Sequence, residues 1–482
     1  MNNMTIFDLI LIGLYLLGMV WIGFYFKKKV TKTTDYYLAG RSLNYFVIMA
    51  TVCASIIGGG AMIGRGGVTY SQGAVAIMLG LPYLIGMYVF SGISGRIQKI
   101  GVLNDITSIP DLMEYRFGTK VKYLTAFLIA FTMMATVGTQ ITATATLIKT
   151  IGGFSYETGA WIAVIIFVSY TAVSGLFGVV YTDVAQFIIL MLFMYILLPI
   201  IALVKVGGVS TMIQSVPNEM LSIKPSSEII GWIFTNLVFT LAGAEMWQRA
   251  FAAKSPKDAK RGMILGNTVY AYTIIITLVI GLSAYILLPN VVNDYGAADA
   301  AIPALVIHLL PVGITGLTIA SLFAVLMSSA DTYLLISVQT LLRDILKPLW
   351  PNIEDKKELF YSRVVTVLLG FGALIIALYI RQAYKALMFA WTFYAASLGL
   401  PAFAALYWKK ATKEGITAGI IVGFVTSIVW KLVGSPFGVG AALPGSILCG
   451  LALILVTHAT YKEENPTPFP HLSSLEKVDC KD

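Results

Sequence analysis

Residues 44–70 read NYFVIMATVCASIIGGGAMIGRGGVTY. The stretch is long and apolar enough to cross a bilayer, yet Gly58, Gly59 and Gly60 interrupt it midway. Glycine costs a helix about 1 kcal/mol relative to alanine. Backbone released from a helix at membrane depth survives only where it lines a cavity or is covered by protein. A single glycine would fit close helix packing; three in succession favour unwinding. A phosphate loop is excluded, because no Lys-Ser/Thr pair follows. A second apolar stretch, residues 316–344, carries Ser328, Ser329, Asp331 and Thr332 near its centre and reads as a second interrupted helix. Broken helices with oxygen-bearing side chains near the midplane are the arrangement of ion-coupled transporters.

The rest of the chain agrees with a membrane setting. It has 482 residues, 58% of them hydrophobic and 12% charged. A soluble domain of that composition would expose large apolar patches. Apolar segments fall at 5–26, 44–70, 73–95, 121–148, 156–175, 178–204, 228–248, 262–288, 314–342, 358–380, 386–408, 415–434 and 442–459, an expectation of about thirteen spans. Lysines follow rather than precede segment 5–26, so it reads as a retained span and not a signal peptide. The net charge of +9 divides by topology: 26 of the 33 lysines and arginines lie in alternate gaps on one side. Only Lys149, Lys205, Lys224, Arg381, Lys385 and Lys431 lie on the other, and Arg65 lies within a span. The rich side is expected to be cytoplasmic, with the N-terminus outside and the C-terminus inside a plasma membrane. No basic face on a soluble domain exists to bind nucleic acid. Cys53, Cys449 and Cys480 form no disulfide or metal pattern, and His308, His458 and His471 are scattered.

Five spans within 44–206 and five within 207–408 suggest two repeats; the odd number in each makes the second enter the membrane inverted. Residues 1–43 would then be an extra helix and cytoplasmic loop, 409–459 two peripheral helices, and 460–482 a tail. Pro466, Pro468 and Pro470 make that tail an extended, mobile strip.

Charges inside spans each need a reason, at a cost of ~2.5–3.5 kcal/mol or more. Asp8 is near a span end and is expected to reach water. Arg65 either extends to the outer surface or lies near a solute path. Asp183 sits near the inner end of its helix, where a salt bridge to a loop cation is the plain alternative. Asp331 is deeper. Ser328, Asp331 and Thr332 are three and four residues apart, so they share one helix face. Hydroxyl and carboxylate oxygens suit a hard cation such as Na⁺. Intrahelical bonding explains the serines but not the aspartate. Glu245 either meets a cationic group of a solute or pairs with an inner-loop cation.

Four further motifs carry a family resemblance: residues 175–186 (GLFGVVYTDVAQ), 248–255 (QRAFAAKS), 328–332 (SSADT) with 343–345 (RDI), and 407–415 (YWKKATKEG). Together they resemble the sodium:solute symporters, which include proline, galactose, sialic acid and choline transporters, over nearly the whole chain. The resemblance implies an all-α polytopic membrane protein with an inverted five-helix repeat core, leucine-transporter-like, and alternating access. It implies a Na⁺ site at Ala54, Ile57, Val325, Ser328 and Ser329, with backbone carbonyls from the first three. It implies a second cation site at Asp183, Asp331 and Thr332, for Na⁺ or a proton. Helix position makes Gly59, Ala61, Gln140, Glu245, Trp391 and Tyr394 the solute candidates. Gly243 stands where the choline transporter has a tryptophan, and Ile56 and Ala61 where the galactose transporter has sugar-binding amides, which disfavours both solutes. The expectation is a Na⁺-coupled symporter of a small polar organic solute, with the lipid bilayer as its surroundings and no obligate protein partner. It is not an enzyme, since no catalytic constellation is visible. A transporter-like sensor or a channel is the alternative.

Overall fold

The computed structural model describes residues 4–27, 38–224, 226–350, 355–463 and 467–470. Among them the ordered structure is helical, apart from one isolated bridge between Leu43 and Ala253. Among the described residues ten helices are long and apolar enough to cross a membrane, and Ile6–Met19, Tyr45–Ile56, Tyr156–Ser169 and Ala298–Leu309 are shorter apolar helices. The protein is therefore a multi-pass membrane protein. Among the described residues length and composition alone thus give ten such helices, and Tyr45–Ile56 falls short because the break that follows it divides its apolar stretch.

In chain order the helices are α1 (Ile6–Lys27), α2 (Tyr45–Ile56), α3 (Arg65–Gln72), α4 (Ile77–Leu103), α5 (Ile109–Phe117), α6 (Thr119–Gly152) and α7 (Tyr156–Leu190). A π-turn, Met191–Leu197, leads into α8 (Leu198–Val206). There follow α9 (Ser227–Ala242), α10 (Ala244–Ala252), α11 (Pro256–Leu287), α12 (Ala301–Leu309), α13 (Ile314–Gln339), α14 (Asp355–Tyr379), α15 (Ala383–Tyr407), α16 (Lys413–Leu432) and α17 (Ala442–Thr460). Short polar residues start many of them. Asn44, Ser108, Ser155, Ser226, Ser255 and Thr412 each accept a first-turn N–H of the helix they precede. Such a cap contributes ~1 kcal/mol.

Two helices are broken. The first break follows α2: Ile57 leaves helical geometry (φ −82°, ψ 67°), and a π-turn, Gly60–Gly64, leads into α3. The glycine run unwinds as expected, and it also packs closely. A Cβ on Gly59 would lie 2.5 Å from Ala143 Cβ, and one on Gly58 2.7 Å from Ser329 Oγ. The second break is at Gly243 (φ −52°, ψ 103°), between α9 and α10. It is not at residues 328–332, where α13 runs unbroken from Ile314 to Gln339. The hydroxyls there find partners on other helices, so no unwinding is needed. The window of the α13 span is wholly buried, packed among α1, α6 and α7. Every polar group on it must be satisfied inside the protein.

Two more expectations are corrected. Asp8 does not reach water: it is fully buried and Oδ1 accepts N–H groups of Gly313 (2.8 Å) and Gly316 (2.9 Å). It thus caps α13, where the helix dipole favours a carboxylate. The tail does not run free over residues 467–470. Thr467 donates to the Ala411 carbonyl (2.8 Å), and the Phe469 ring covers the Arg116 guanidinium at 4.7 Å. The tail prolines preset an extended course, and this basic surface on α5 receives it. Lys28, Lys29, Lys32 and the tail beyond Pro470 lie outside the described residues.

Candidate functional site

The two breaks release backbone groups, and side chains take them up. At the first, Gln140 Oε1 on α6 accepts the Gly59 N–H (2.7 Å). Ser329 Oγ on α13 donates toward the Ala54 and Ser55 carbonyls, 3.2 Å each, and Tyr333 Oη lies 3.4 Å from the latter. At the second, Tyr394 Oη on α15 donates to the Ala242 carbonyl (2.6 Å) and Trp247 Nε1 to the Leu241 carbonyl (3.1 Å). Each buried carbonyl left unmet would cost ~1–3 kcal/mol. Gln140 and Tyr394, read from the sequence as solute contacts, therefore serve the breaks directly.

The residues of the expected Na⁺ site converge in part. Ala54, Ile57, Val325, Ser328 and Ser329 are all buried. Ser329 faces the carbonyls at the break, whereas Ser328 donates to Asp183 Oδ1 (2.5 Å). Thr51 on α2 donates to the other Asp183 oxygen. A guanidinium lies among these groups. Arg249 Nη2 donates to Ser55 Oγ (2.7 Å), Thr332 Oγ1 (2.8 Å) and Thr51 Oγ1 (3.2 Å), and is 3.8 Å from Asp183 Oδ2. Arg249 is 1% exposed and Asp183 fully buried. Asp331 turns elsewhere: its Oδ1 accepts from Thr171 on α7 (2.5 Å) and its Oδ2 has no hydrogen-bond partner. Asp183 and Thr332 thus flank the same arginine, and Asp331 faces Thr171, about three helical turns from Asp183 on α7.

Sequence reasoning placed Arg249 in an inner loop. The span it was assigned to ends one residue earlier, at Gln248, whereas α10 continues through Ala252. The apolar run Ala250, Phe251, Ala252 and Ala253 after it was the available signal.

Beside the first break is a small cavity lined by Gly60, Ala61, Arg65, Tyr83, Gln140 and Trp391 among others, with free volume of about 20 Å³, room for about one water. Of the expected solute residues, Ala61, Gln140 and Trp391 line it. Gly59 adjoins it against Ala143. Tyr394 stacks obliquely on Phe239 (5.3 Å), which lies flat on Trp391 (4.0 Å). Glu245, fully buried, sets its carboxylate back over Gly243, and neither oxygen has a hydrogen-bond partner. Arg65 does not extend to the surface; it is 2% exposed and walls this cavity. Above it, a vestibule of about 720 Å³ opens between Glu228, Asp299, Lys385 and Lys431. Tyr384 lines both spaces and stands between them.

The profile of the sodium:solute symporter family matches residues 36–423. The chain is 29% identical to the high-affinity proline transporter PutP of Bacillus subtilis over 92% of its length and 96% of that protein's. It is 26% identical to the sodium/pantothenate symporter of Haemophilus influenzae, over 95% and 96%. In three dimensions it resembles a Na⁺-coupled sialic acid symporter solved in a substrate-bound outward-open state: TM-score 0.80, 18% identity, 97% of this chain and 100% of that one. A nucleobase-cation-symport-1 transporter, MHP1, in a closed conformation gives TM-score 0.56 and 15% identity. These likenesses make the fold an inverted-repeat transporter fold.

Proposed function

Since the chain belongs to the sodium:solute symporter family, and so is a Na⁺-coupled secondary transporter and not an enzyme, we propose that it imports a small polar organic solute across the plasma membrane with Na⁺ held between α2 and α13. The carrying observation is Ser329, whose hydroxyl reaches across from an unbroken helix to carbonyls at the break after α2. Hydroxyl and carbonyl oxygens from both repeats meet there, and they are the ligands a hard cation takes. Ala54, Ile57 and Val325 would supply carbonyls, and Ser328 would turn from Asp183 to complete the set. Because the ligands come from two elements, bound Na⁺ favours the state in which those elements are together. Repeat boundaries at 44–206 and 207–408, thirteen spans and an outside N-terminus belong to the same reading. On that topology the vestibule opens outward.

Asp183, Asp331 and Thr332 are proposed to take part in a second cation step. Arg249 fills the space between Asp183 and Thr332 in this conformation, so a cation there requires the guanidinium to withdraw. Glu245 remains a proposed solute contact, as do Gly59, Ala61, Gln140, Trp391 and Tyr394. A sensor or channel would lack stoichiometric coupling; the separation of vestibule from cavity by Tyr384 favours a carrier. The relatives' solutes, proline and pantothenate, are the first to try. Uptake into proteoliposomes should saturate with solute and require an inward Na⁺ gradient. Flux that is linear in solute, or indifferent to Na⁺, would refute the proposal.

A further inference from the structure

We infer that the transported solute carries a carboxylate and that Arg65 is its counter-ion; this deepens the symport reading and rests on it. The observation is a buried cation without an anion. Arg65 opens α3 immediately past the first break and is 2% exposed. Nε donates to the Ala61 carbonyl of its own turn (2.9 Å), Nη2 meets Tyr270 Oη (3.4 Å), and the guanidinium lies over the Tyr270 ring (5.3 Å). All of these partners are neutral. Among the described residues no carboxylate lies within ion-pair distance of it, and Nη1 has no hydrogen-bond partner. Two other deeply buried cations have carboxylates, Arg249 with Asp183 and Lys122 with Glu114 and Asp111. Arg116 has none among the described residues, but it donates to carbonyls at the end of α15, among them Ala404, Ala405 and Trp408, whereas Nη1 of Arg65 meets nothing.

An arginine cannot shed its proton to relieve this burial. A buried, unpaired charge persists where something outside the chain completes it. The surroundings are built to hold the side chain in place. Gly80 on α4 leaves room for it, since a Cβ there would lie 2.6 Å from Nη1. The side chain walls the same cavity as Ala61, Tyr83, Gln140 and Trp391. Two other unpartnered donors, Tyr384 Oη and Trp391 Nε1, line that cavity as well. With Nη1 of Arg65 these make three unmet donors on residues around one space, which suits a group that brings acceptors. A carboxylate is that group, and a guanidinium fork matches it in a plane. An amide of the same shape presents N–H groups where the site also presents donors.

The test is competition by matched pairs. Short carboxylates and amino acids, each beside its own amide, are offered to the wild-type protein in proteoliposomes under a Na⁺ gradient. A carboxylate should be taken up, and its amide should compete about 10- to 100-fold more weakly, as expected for a lost charge-assisted bond. Arg65→Gln should raise the Km for that carboxylate about as much, while the thermal stabilisation given by Na⁺ alone is retained. Arg65→Lys, which keeps the charge and loses the fork, should fall between the two. Competition on the wild-type protein needs no variant to fold. An amide that competes as well as its acid, Na⁺-driven uptake confined to solutes without a carboxylate, or a wild-type Km in Arg65→Gln would each overturn the assignment. The second outcome would leave symport standing; a panel with no Na⁺-driven uptake and no Na⁺ stabilisation would fell both.

Discussion

Arg249 and Asp183 show how much one buried pair organises. Their side chains are 3.8 Å apart at essentially no exposure, and the arginine also gathers hydroxyls from α2 and α13. Breaking such a pair leaves an uncompensated charge and costs ~3–5 kcal/mol. Asp183→Asn and Arg249→Gln should each lower the melting temperature in detergent, and the double variant should lose less than the sum. Additive losses would show that the two do not act as a pair. Asp299 gives a second residue-scale expectation. At the vestibule mouth it accepts the Ala383 N–H (2.9 Å), and burial pushes its carboxyl up to about 6. Its folded value is above the ordinary one near 3.8, so folding favours the protonated form. The contribution is full below about pH 4 and is lost as pH rises through about 6, by roughly 2–4 kcal/mol. Asp299→Asn should flatten the decline in thermal stability over that window; an unchanged profile would contradict the assignment.

At the scale of elements, legibility in the sequence depended on how a feature spends its polarity. Three adjacent glycines announced the first break. The second rests on Gly243 alone, and a lone glycine in an apolar helix is ordinary. The hydroxyl cluster on α13 mimicked an interruption, yet its groups are satisfied sideways by Ala54, Asp183 and Arg249, and nothing in one dimension records a partner on another helix. The same limit hid Asp8 as the cap of α13 and the seat of the tail. That seat makes its own prediction. Arg116 donates to the Ala405 (2.8 Å), Trp408 (3.0 Å) and Pro468 (3.2 Å) carbonyls, joining the end of α15 to the tail. Burial lowers its pKa to about 10, so it stays charged at neutral pH. Arg116→Ala should release the tail and speed tryptic cleavage at Lys462; cleavage at the wild-type rate would mean the tail is held by other contacts.

For the whole molecule, composition was the most readable layer, because a bilayer constrains every span in the same way, and charge placement adds an expected topology. The topology they imply has a direct check. A cysteine placed near Lys257 should react only from the cytoplasmic side, and one near Tyr295 only from outside; the reverse pattern would invert the orientation. Of the residues proposed to hold Na⁺, Ala54 and Ser329 do meet, but the part Arg249 plays beside them was not foreseen. The vestibule, the small cavity and Tyr384, which lines both, fit the proposed carrier, in which Na⁺ between α2 and α13 would bias which side opens. The most direct test of that claim needs no solute. In detergent, rising Na⁺ should raise the melting temperature of the wild-type protein and saturate, with K⁺ at equal ionic strength giving no such rise. Ser328→Ala/Ser329→Ala should fold but lose that response, each missing ligand weakening Na⁺ binding by ~1–3 kcal/mol. A double variant stabilised by Na⁺ as strongly as the wild type would contradict the account.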